Sequence, residues 1–262
     1  MKKDISQKTS WGGVAEWYDE LLEESSDSFQ AKVILPNLLR ILNIQPKSPQ
    51  TKIIDIACGQ GHFSRALEQV GAKVTGADIS PELIKTAKER SSKTITFHVA
   101  SADRLTFAQD ASFDVALLIL SLQNIGNLPL ALFECSRVLK TKGRLVIVLN
   151  HPTFRIPQKS SWDWDEKRGK QYRRIDAYLK EYKMEIDMTP GEKDKAKKKH
   201  TVSFHRPLQS YFKFLHQAGF AVTALEEWTS HKKSQKGPRS AEEDRIRKEI
   251  PMFLMLEAVK LS

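Results

Sequence analysis

Residues 53–67 read IIDIACGQGHFSRAL. A short apolar run leads into two glycines one residue apart, Gly59 and Gly61, and the residues that follow have apolar side chains at helical spacing. Glycine-rich turns between a strand and a helix hold ligands in several α/β folds. The stretch therefore predicts the first strand, ligand-binding turn and helix of an α/β domain.

Apolar runs alternate with helix-period segments over the first 150 residues, which indicates βαβ units and a parallel sheet. Most of the predicted strands are apolar on both faces, as expected where helices cover both sides of a sheet. We predict strands at 52–57, 73–78, 95–100, 113–120 and 144–150, and helices at 63–70, 81–90 and 128–139. Beyond a polar stretch we predict a helix at 207–218 and strands at 221–228 and 251–259, and residues 11–42 have a largely helical pattern.

The chain has 262 residues, enough to bury a substantial core, and a formal net charge of +10. Two polar segments, 165–200 and 231–248, each carry a net charge of +4 and hold most of this excess. Lysine-rich runs of mixed sign are usually solvated, so we favour exposed appendages over a nucleic-acid groove, although that groove stays open as an alternative.

Neither a membrane span nor a metal site is indicated by the sequence. The longest apolar runs, 115–120 and 145–149, are far shorter than the ~20 residues of a spanning helix, and the opening MKKDISQKTS has no apolar stretch of a signal peptide. Cys58 and Cys135 are the only cysteines, too few for a disulfide framework or a cysteine zinc site. We therefore expect a cytoplasmic protein without a bound metal.

The glycine turn at 59–61 does not match the two commonest phosphate-binding patterns. A P-loop requires Gly-Lys-Ser/Thr, which is missing here. A dinucleotide site requires a third glycine, where this chain has Ser64. Asp55 would moreover lie beside the pyrophosphate, and two like charges repel.

Asp55 suits instead a ligand with positive charge and no phosphate, and S-adenosylmethionine carries both a sulfonium and an α-ammonium group. The glycines allow the backbone to approach such a ligand where a Cβ would obstruct it. Asp78, which ends the next predicted strand, is placed to bind the two ribose hydroxyls. Its alternative interpretation is a capping aspartate before the helix start at Ser80 and Pro81.

Five motifs follow one another along the chain: DIACGQG (55–61), GADIS (76–80), SADRLTF (101–107), SFDVALLILSLQNI (112–125) and RVLKTKGRLVIV (137–148). In order and spacing they resemble the Rossmann-like (class I) S-adenosylmethionine-dependent methyltransferases, particularly the small-molecule branch that includes ubiquinone/menaquinone C-methyltransferases. Two positions depart from the family pattern: Ala57 replaces the commoner first glycine, and Ser101 stands where the family usually has an acid. AEWYD (15–19) is similar to the family's N-terminal helix over the cofactor, with core packing as the alternative for its aromatics.

This resemblance implies an α/β fold with a doubly wound, mostly parallel seven-stranded sheet, its last strand antiparallel, and helices on both faces. It implies an N-terminal helical cap at 1–45, a cofactor-binding core at 46–150, a lid or substrate insertion after the fifth strand at 151–200, and the C-terminal part of the same sheet at 201–262. It also implies that S-adenosylmethionine contacts the following residues: Asp55, Ala57, Cys58, Gly59, Gly61, Asp78, Ile79, Ser101, Ala102, Asp103, Leu120 and Tyr18.

Methyl transfer from a sulfonium is an in-line displacement with a good leaving group, so it depends mainly on proximity, orientation and removal of water. A general base is needed only where the acceptor must lose a proton. Candidates follow the fourth and fifth predicted strands, at the edge where α/β sheets bind ligands, or lie across the insertion: Gln123, Asn150, His151 and His205. For each histidine, a bond to a backbone carbonyl in a turn is the alternative.

The sequence thus predicts a methyltransferase that acts on a small-molecule acceptor. An RNA or tRNA methyltransferase that uses the basic segments is one alternative, although the Asn/Asp-Pro-Pro-aromatic turn of amino-methylating nucleic-acid enzymes is missing at SLQNI (121–125). A non-catalytic cofactor-binding module is the other, although the acids and glycines of the predicted site are intact.

Overall fold

The computed structural model describes residues 27–45, 50–189, 194 and 198–262. Its central feature is a seven-stranded sheet. Along the chain the strands of the described residues are β1 (Lys52–Ile56), β2 (Lys73–Asp78), β3 (Thr96–Val99), β4 (Phe113–Ile119), β5 (Leu139–Asn150), β6 (Ser160–Asp165), β7 (Lys170–Ile175), β8 (Tyr182–Asp187), β9 (His200–His205), β10 (Phe220–Trp228) and β11 (Phe253–Lys260).

The helices connect these strands. They are α1 (Leu35–Leu42), which continues a π-helical turn at Gln30–Ile34, α2 (His62–Gln69), α3 (Pro81–Arg90), α4 (Leu128–Val138), α5 (Leu208–Gln217) and α6 (Ser240–Glu249), with a 3-10 turn at Leu122–Asn124. None of the helices in the described ranges has the length and apolarity of a membrane span. Residues 27–42 agree with the predicted N-terminal helix only from Gln30 onwards, and positions before 27 lie outside the described residues.

The strand order of the main sheet is β10-β11-β5-β4-β1-β2-β3, and β11 is antiparallel to both of its neighbours while the other pairs are parallel. The predicted fold class is therefore confirmed, including the antiparallel last strand. The chain moves outward from β1 first to β2 and β3 and then, through β4, to the other side. Such a reversal opens a crevice at the carboxyl ends of the strands, where ligands bind in open α/β sheets.

Each face of the sheet is covered by its own helices. One buried cluster joins α4 and α5 to the side chains of Ile54, Ala116 and Ile147, and a second joins α1, α2 and α3 to the alternate side chains of the same strands, such as Ile53 and Leu117. Because successive strand residues point to opposite faces, one apolar run supplies both clusters. This is why most of the strands are apolar at every position.

Two parts of the chain differ from the sequence-based predictions. Strand β5 begins at Leu139, where it pairs with Phe113, and not at 144. Helix α6 forms in the segment that we expected to be an exposed appendage, and only Ile246 of this helix is buried. Its mixed charges hide the helical period, because a single apolar contact gives no repeating pattern.

The insertion after β5 contains two antiparallel hairpins, β6 with β7 and β8 with β9, and neither was predicted. The side chains of β6, β7 and β8 are exposed or half-buried, so these strands lie on the surface. Strand β9 packs inward through the buried side chains of Thr201, Ser203 and His205. Strand β9 runs through the predicted boundary between 200 and 201, and the division into domains stays a prediction.

Candidate functional site

A cleft of about 190 Å³ lies at the carboxyl edge of the main sheet. It is lined by the residues that follow β1, β2, β3 and β4, and by the start of the connection to α4. Among them are Ala57, Asp78, Ser101, Leu120 and Asn124. The chain adds strands on one side of β1 up to β3 and then on the other side from β4 onwards, so the crevice is expected between β1 and β4. The cleft lies at this position.

The turn between β1 and α2 brings the backbone into this cleft. Ala57, Gly59 and Gly61 all have positive φ angles, of 58°, 56° and 81°. A Cβ on Gly61 would lie 2.9 Å from the Phe97 ring, so only glycine fits there. Ala57 has a side chain in the left-handed region, and this conformation costs roughly 1–2 kcal/mol. The strained residue lies at the wall of the cleft.

Asp78 joins this turn to the end of β2. Its Oδ2 accepts a hydrogen bond from the backbone N–H of Gly59 and its Oδ1 accepts one from that of Ser80, both at 2.9 Å. Burial raises the pKa of Asp78, whereas the bonds from backbone N–H groups lower it. Ser80 itself caps α3 by accepting from Leu83 N–H. Asp78 therefore orders the turns and also lines the cleft, which combines both interpretations of this residue.

Asp55 lies beneath the turn and is not among the residues that line the cleft. It is only 2% exposed, and the Ser64 hydroxyl donates to its Oδ2 over 2.6 Å. Burial raises its pKa to about 7, and the negative charge of Asp78 contributes in the same direction. The expected direct contact between Asp55 and a cationic ligand is not supported by this placement, and its role stays a prediction.

The loop at 101–108 forms the wall of the cleft beside β3. Arg137 of α4 donates to the carbonyls of Leu105 and Ala108, and Glu134 accepts from Leu105 N–H. These bonds fix the loop to the helix. The loop in turn presents Ser101, Ala102 and Asp103 to the cleft.

On the opposite wall, Leu120 follows β4 with a positive φ of 52° and donates its N–H to Val148 O over 2.7 Å. Next to it, Ser121 Oγ is buried and has no hydrogen-bond partner within the described part of the chain. Strained backbone and unpaired polar atoms cluster at functional sites, so this corner is a candidate contact for a ligand.

Eight of the twelve predicted cofactor residues line the cleft: Ala57, Gly59, Asp78, Ile79, Ser101, Ala102, Asp103 and Leu120. Cys58 and Gly61 shape the turn without lining it, Asp55 lies beneath it, and Tyr18 lies outside the described residues. The sequence interpretation missed Ser121 and the wall residues 125–127. Their position directly after the fourth strand was the signal that could have identified them.

Three of the four predicted catalytic residues, Gln123, Asn150 and His205, line a small cavity of about 30 Å³ near the cleft. Gln123 donates to Leu120 O over 2.6 Å, and its Oε1 is buried without a partner among the described residues. Its neighbour Asn124 lines the cleft itself. The 3-10 turn that carries both residues thus separates the cleft from the small cavity.

His151 lies apart from these residues. Its Nε2 pairs with Glu227 Oε1 at 2.7 Å, and its Nδ1 accepts from the N–H groups of Thr153 and Phe154. Both ring nitrogens are therefore engaged, and burial lowers the pKa of His151. His205 bonds Tyr178 O through Nε2 at 2.7 Å. His205 thus has the carbonyl bond of the turn interpretation, whereas the partners of His151 are a carboxylate and two backbone N–H groups. Catalytic roles for both histidines stay predictions.

Arg206, which was not predicted, connects the insertion to the cleft. Its buried guanidinium donates to the carbonyls of Ile125 and Gly126, each at 2.9 Å. Both of these residues line the cleft. No pattern in the sequence marks this contact, because it joins positions about 80 residues apart.

Comparison with known proteins relates this geometry to one family. Residues 54–147 match the model of a methyltransferase domain. A demethylmenaquinone methyltransferase from Tropheryma whipplei (strain Twist) is 38% identical over 104 residues, and a ubiquinone biosynthesis O-methyltransferase from Xanthomonas campestris pv. campestris (strain B100) is 34% identical over 103 residues. Each alignment covers 38% of this chain and 43% of the relative, so the chain spans less than half the length of the curated relatives it matches.

The fold similarity extends further along the chain than the sequence similarity. The crystal structure of an S-adenosylmethionine-dependent methyltransferase from Mesorhizobium loti superposes with a TM-score of 0.64 at 25% identity, covering 85% of this chain and 96% of that one. The matched sequence ends at 147, near the end of β5. The hairpins and α6 therefore lie outside the stretch that the family model describes.

Proposed function

We propose that this chain transfers a methyl group from S-adenosylmethionine to a small-molecule acceptor. Its residues 54–147 match the model of a methyltransferase domain, and its fold is similar to that of an S-adenosylmethionine-dependent methyltransferase. The observation that carries the proposal is the joined pair of Gly59 and Asp78 at the wall of the cleft. It places a carboxylate beside a close-passing backbone at the carboxyl edge of the sheet.

The cleft residues fit the cofactor. Asp78 has a carboxylate for the ribose hydroxyls, and Ile79 beside it is 41% exposed, an apolar surface suited to a flat base. Ala102 and Asp103 lie where the edge of that base would be read, and the turn at 57–59 leaves room for the methionine portion. The unpaired Ser121 hydroxyl is a further polar contact available to the ligand.

When bound, S-adenosylmethionine supplies a methyl group on a positively charged sulfur. The chain's own residues would orient the acceptor and keep water away, which are the main contributions to a displacement of this kind. Gln123 and Asn150 offer amide groups at the small cavity next to the cleft, where they would hold the acceptor. His205 lines the same cavity and is the candidate for a base. Because its Nε2–H donates to Tyr178 O, it would accept a proton at Nδ1.

The names of the relatives support an aromatic acceptor, since two of them are methyltransferases of menaquinone and ubiquinone synthesis. The insertion supplies several aromatic rings. Trp162 lies on β6, Tyr182 lies on β8, and Tyr178 lies in the connection between the two hairpins.

The test is a transfer assay with methyl-labelled S-adenosylmethionine against a fractionated metabolite extract and, separately, against total RNA. We expect label in the metabolite fraction with wild-type protein and, at cofactor concentrations below the wild-type Kd, roughly tenfold less with Asp78→Asn. Label in RNA alone would replace the small-molecule acceptor by an RNA acceptor. A thermal-shift titration with S-adenosylhomocysteine tests cofactor binding on its own, because a ligand selective for the native state raises Tm.

A further inference from the structure

The first hairpin, the turn after β5 and helix α6 enclose a second cavity of about 360 Å³, which we call the basic cavity. Its walls include Phe154, Arg155, Trp162, Arg173, Lys232 and Arg247. Four of these six side chains are cationic, and none of the described residues that line the cavity is an Asp or Glu. A hollow with this concentration of positive charge favours an anionic occupant.

Among the described residues, the hydrogen-bond partners of Arg155 and Arg173 are all uncharged. Arg155 donates to Asn150 Oδ1 over 2.9 Å, and Arg173 donates to Phe154 O and Ser160 Oγ, each over 2.7 Å. Among the described residues, no carboxylate lies within salt-bridge distance of either guanidinium, whereas Lys232 pairs with Asp27 and Arg247 lies 4.0 Å from Asp244. Partial burial lowers the pKa of Arg155, and the charge of Arg173 lowers it further. An anion between the two guanidiniums would relieve this repulsion.

The remaining walls are aromatic and apolar. The Trp162 ring is 42% exposed and lies 4.9 Å from the Arg173 guanidinium carbon, and Phe154 closes another side. Phe29, Ser230, Ile250, Pro251 and Met252 are the other described residues of the lining, and all of them except Ser230 are apolar. Flat apolar walls around an arginine pair suit a planar, apolar group that bears a carboxylate, because the guanidinium fork matches carboxylate geometry.

The basic cavity opens on the same edge of the sheet as the cofactor cleft. Arg155 lines both this cavity and the small cavity that contains Gln123 and Asn150. The basic cavity lies over β5, β11 and β10, while the cleft lies over β4, β1, β2 and β3. From β1 to β11 the sheet advances by three strand spacings, roughly 14 Å. A molecule of two or three fused or linked rings spans such a distance.

We propose that the basic cavity binds the carboxylate of the methyl acceptor, an aromatic carboxylic acid whose reactive atom reaches the cofactor cleft past Gln123 and Asn150. This inference rests on the proposed function, since it names the chemical class of the acceptor. Arg155 and Arg173 are the residues that recognise the carboxylate, and Trp162 packs against the ring that carries it.

The test uses the full-length protein and benzoate as the probe, with binding measured by saturation-transfer NMR and calorimetry. We expect benzoate to bind and neutral benzamide to bind at least tenfold more weakly. Arg155→Gln and Arg173→Gln should each weaken benzoate binding about tenfold or more, and Arg173→Lys should retain part of it. Arg174→Gln is the matched control: Arg174 is the next residue on β7, its side chain is 64% exposed, and its removal should leave benzoate binding unchanged.

Three outcomes would overturn the proposal: no benzoate binding, equal binding by all the variants, or tighter binding of inorganic phosphate or a short RNA to the same arginines. S-adenosylhomocysteine binding, measured in every variant, keeps this result separate from the proposed function. If S-adenosylhomocysteine binds and benzoate does not, only the inference about the acceptor fails. If benzoate binds and no methyl transfer occurs, the proposed function fails and the acceptor role of the basic cavity fails with it, while its binding of a carboxylate stands.

Discussion

Gly59 donates its backbone N–H to Oδ2 of Asp78 over 2.9 Å, so the turn after β1 and the acid after β2 form one unit. Asp78 is 6% exposed, and its other oxygen is held by Ser80. The carboxylate is therefore fixed in position before any ligand arrives. A preorganised acceptor of hydrogen bonds costs a ligand little ordering, which favours tight binding.

Replacing Asp78 by Asn should change both the affinity for S-adenosylhomocysteine and the free energy of unfolding, which are measured separately. The amide has no charge, and a hydrogen bond to a charged group is worth about 1.5–3 kcal/mol, so we expect the affinity for S-adenosylhomocysteine to fall by roughly tenfold or more. The amide has one acceptor oxygen for the N–H groups of Gly59 and Ser80 where the carboxylate has two, so we expect the free energy of unfolding to fall by about 1–3 kcal/mol. Calorimetry and urea denaturation measure the two effects. Asp114→Asn, at the opposite edge of the sheet, is the control and should leave the affinity unchanged.

Asp55 should make the protein less stable as the pH rises. Its pKa is 3.8 in a model compound and about 7 in the folded chain, so between these values the native state keeps a proton that the unfolded chain loses. The free energy of unfolding therefore falls through this window, by up to about 4 kcal/mol in total. Asp55→Asn should flatten the decline between about pH 4 and pH 7 in urea melts. A variant with the wild-type slope would show that Asp55 is ionised throughout.

Ala57→Gly should stabilise the protein, because Ala57 has a φ of 58° that only glycine adopts without strain. We expect a gain of about 0.5–1 kcal/mol in the free energy of unfolding, as the relief of strain exceeds the entropy cost of glycine. Ala111→Gly is a matched control, since Ala111 has a φ of 49° and lies in a turn away from the cleft. A gain at Ala111 but not at Ala57 would mean that the turn after β1 is held by other forces.

His151→Gln tests whether His151 is a base or part of a turn. Since both of its ring nitrogens are engaged, we expect a loss of about 1–3 kcal/mol in stability with kcat reduced less than threefold. Burial lowers the pKa of His151, so the unfolded state binds the proton more readily. The stability that His151 contributes should therefore be lost as the pH falls through its ordinary pKa near 6.5. A hundredfold loss of kcat with unchanged Tm would instead identify a catalytic base.

Sequence reasoning located the part of the site that depends on local pattern. The strand ends at Asp78 and Leu120 and the glycine turn follow from apolar runs and their terminators, which are short-range features. It missed contacts that join distant positions, such as Arg206 to Gly126, because no spacing encodes them. It placed Asp55 in the cleft on its charge alone, whereas the direction of its side chain and its bond to Ser64 depend on the packing of α2.

The two halves of the carboxyl edge have separate origins in the chain. The cleft is made almost entirely of residues 57–127, while the basic cavity is made of residues from the turn after β5, the first hairpin and the connections on either side of α6. A change in the first hairpin would thus alter the basic cavity, which we propose binds the acceptor, without disturbing the cleft. Transfer of the acceptor preference to a related core should therefore require 151–206 together with 229–252, because both segments line the basic cavity.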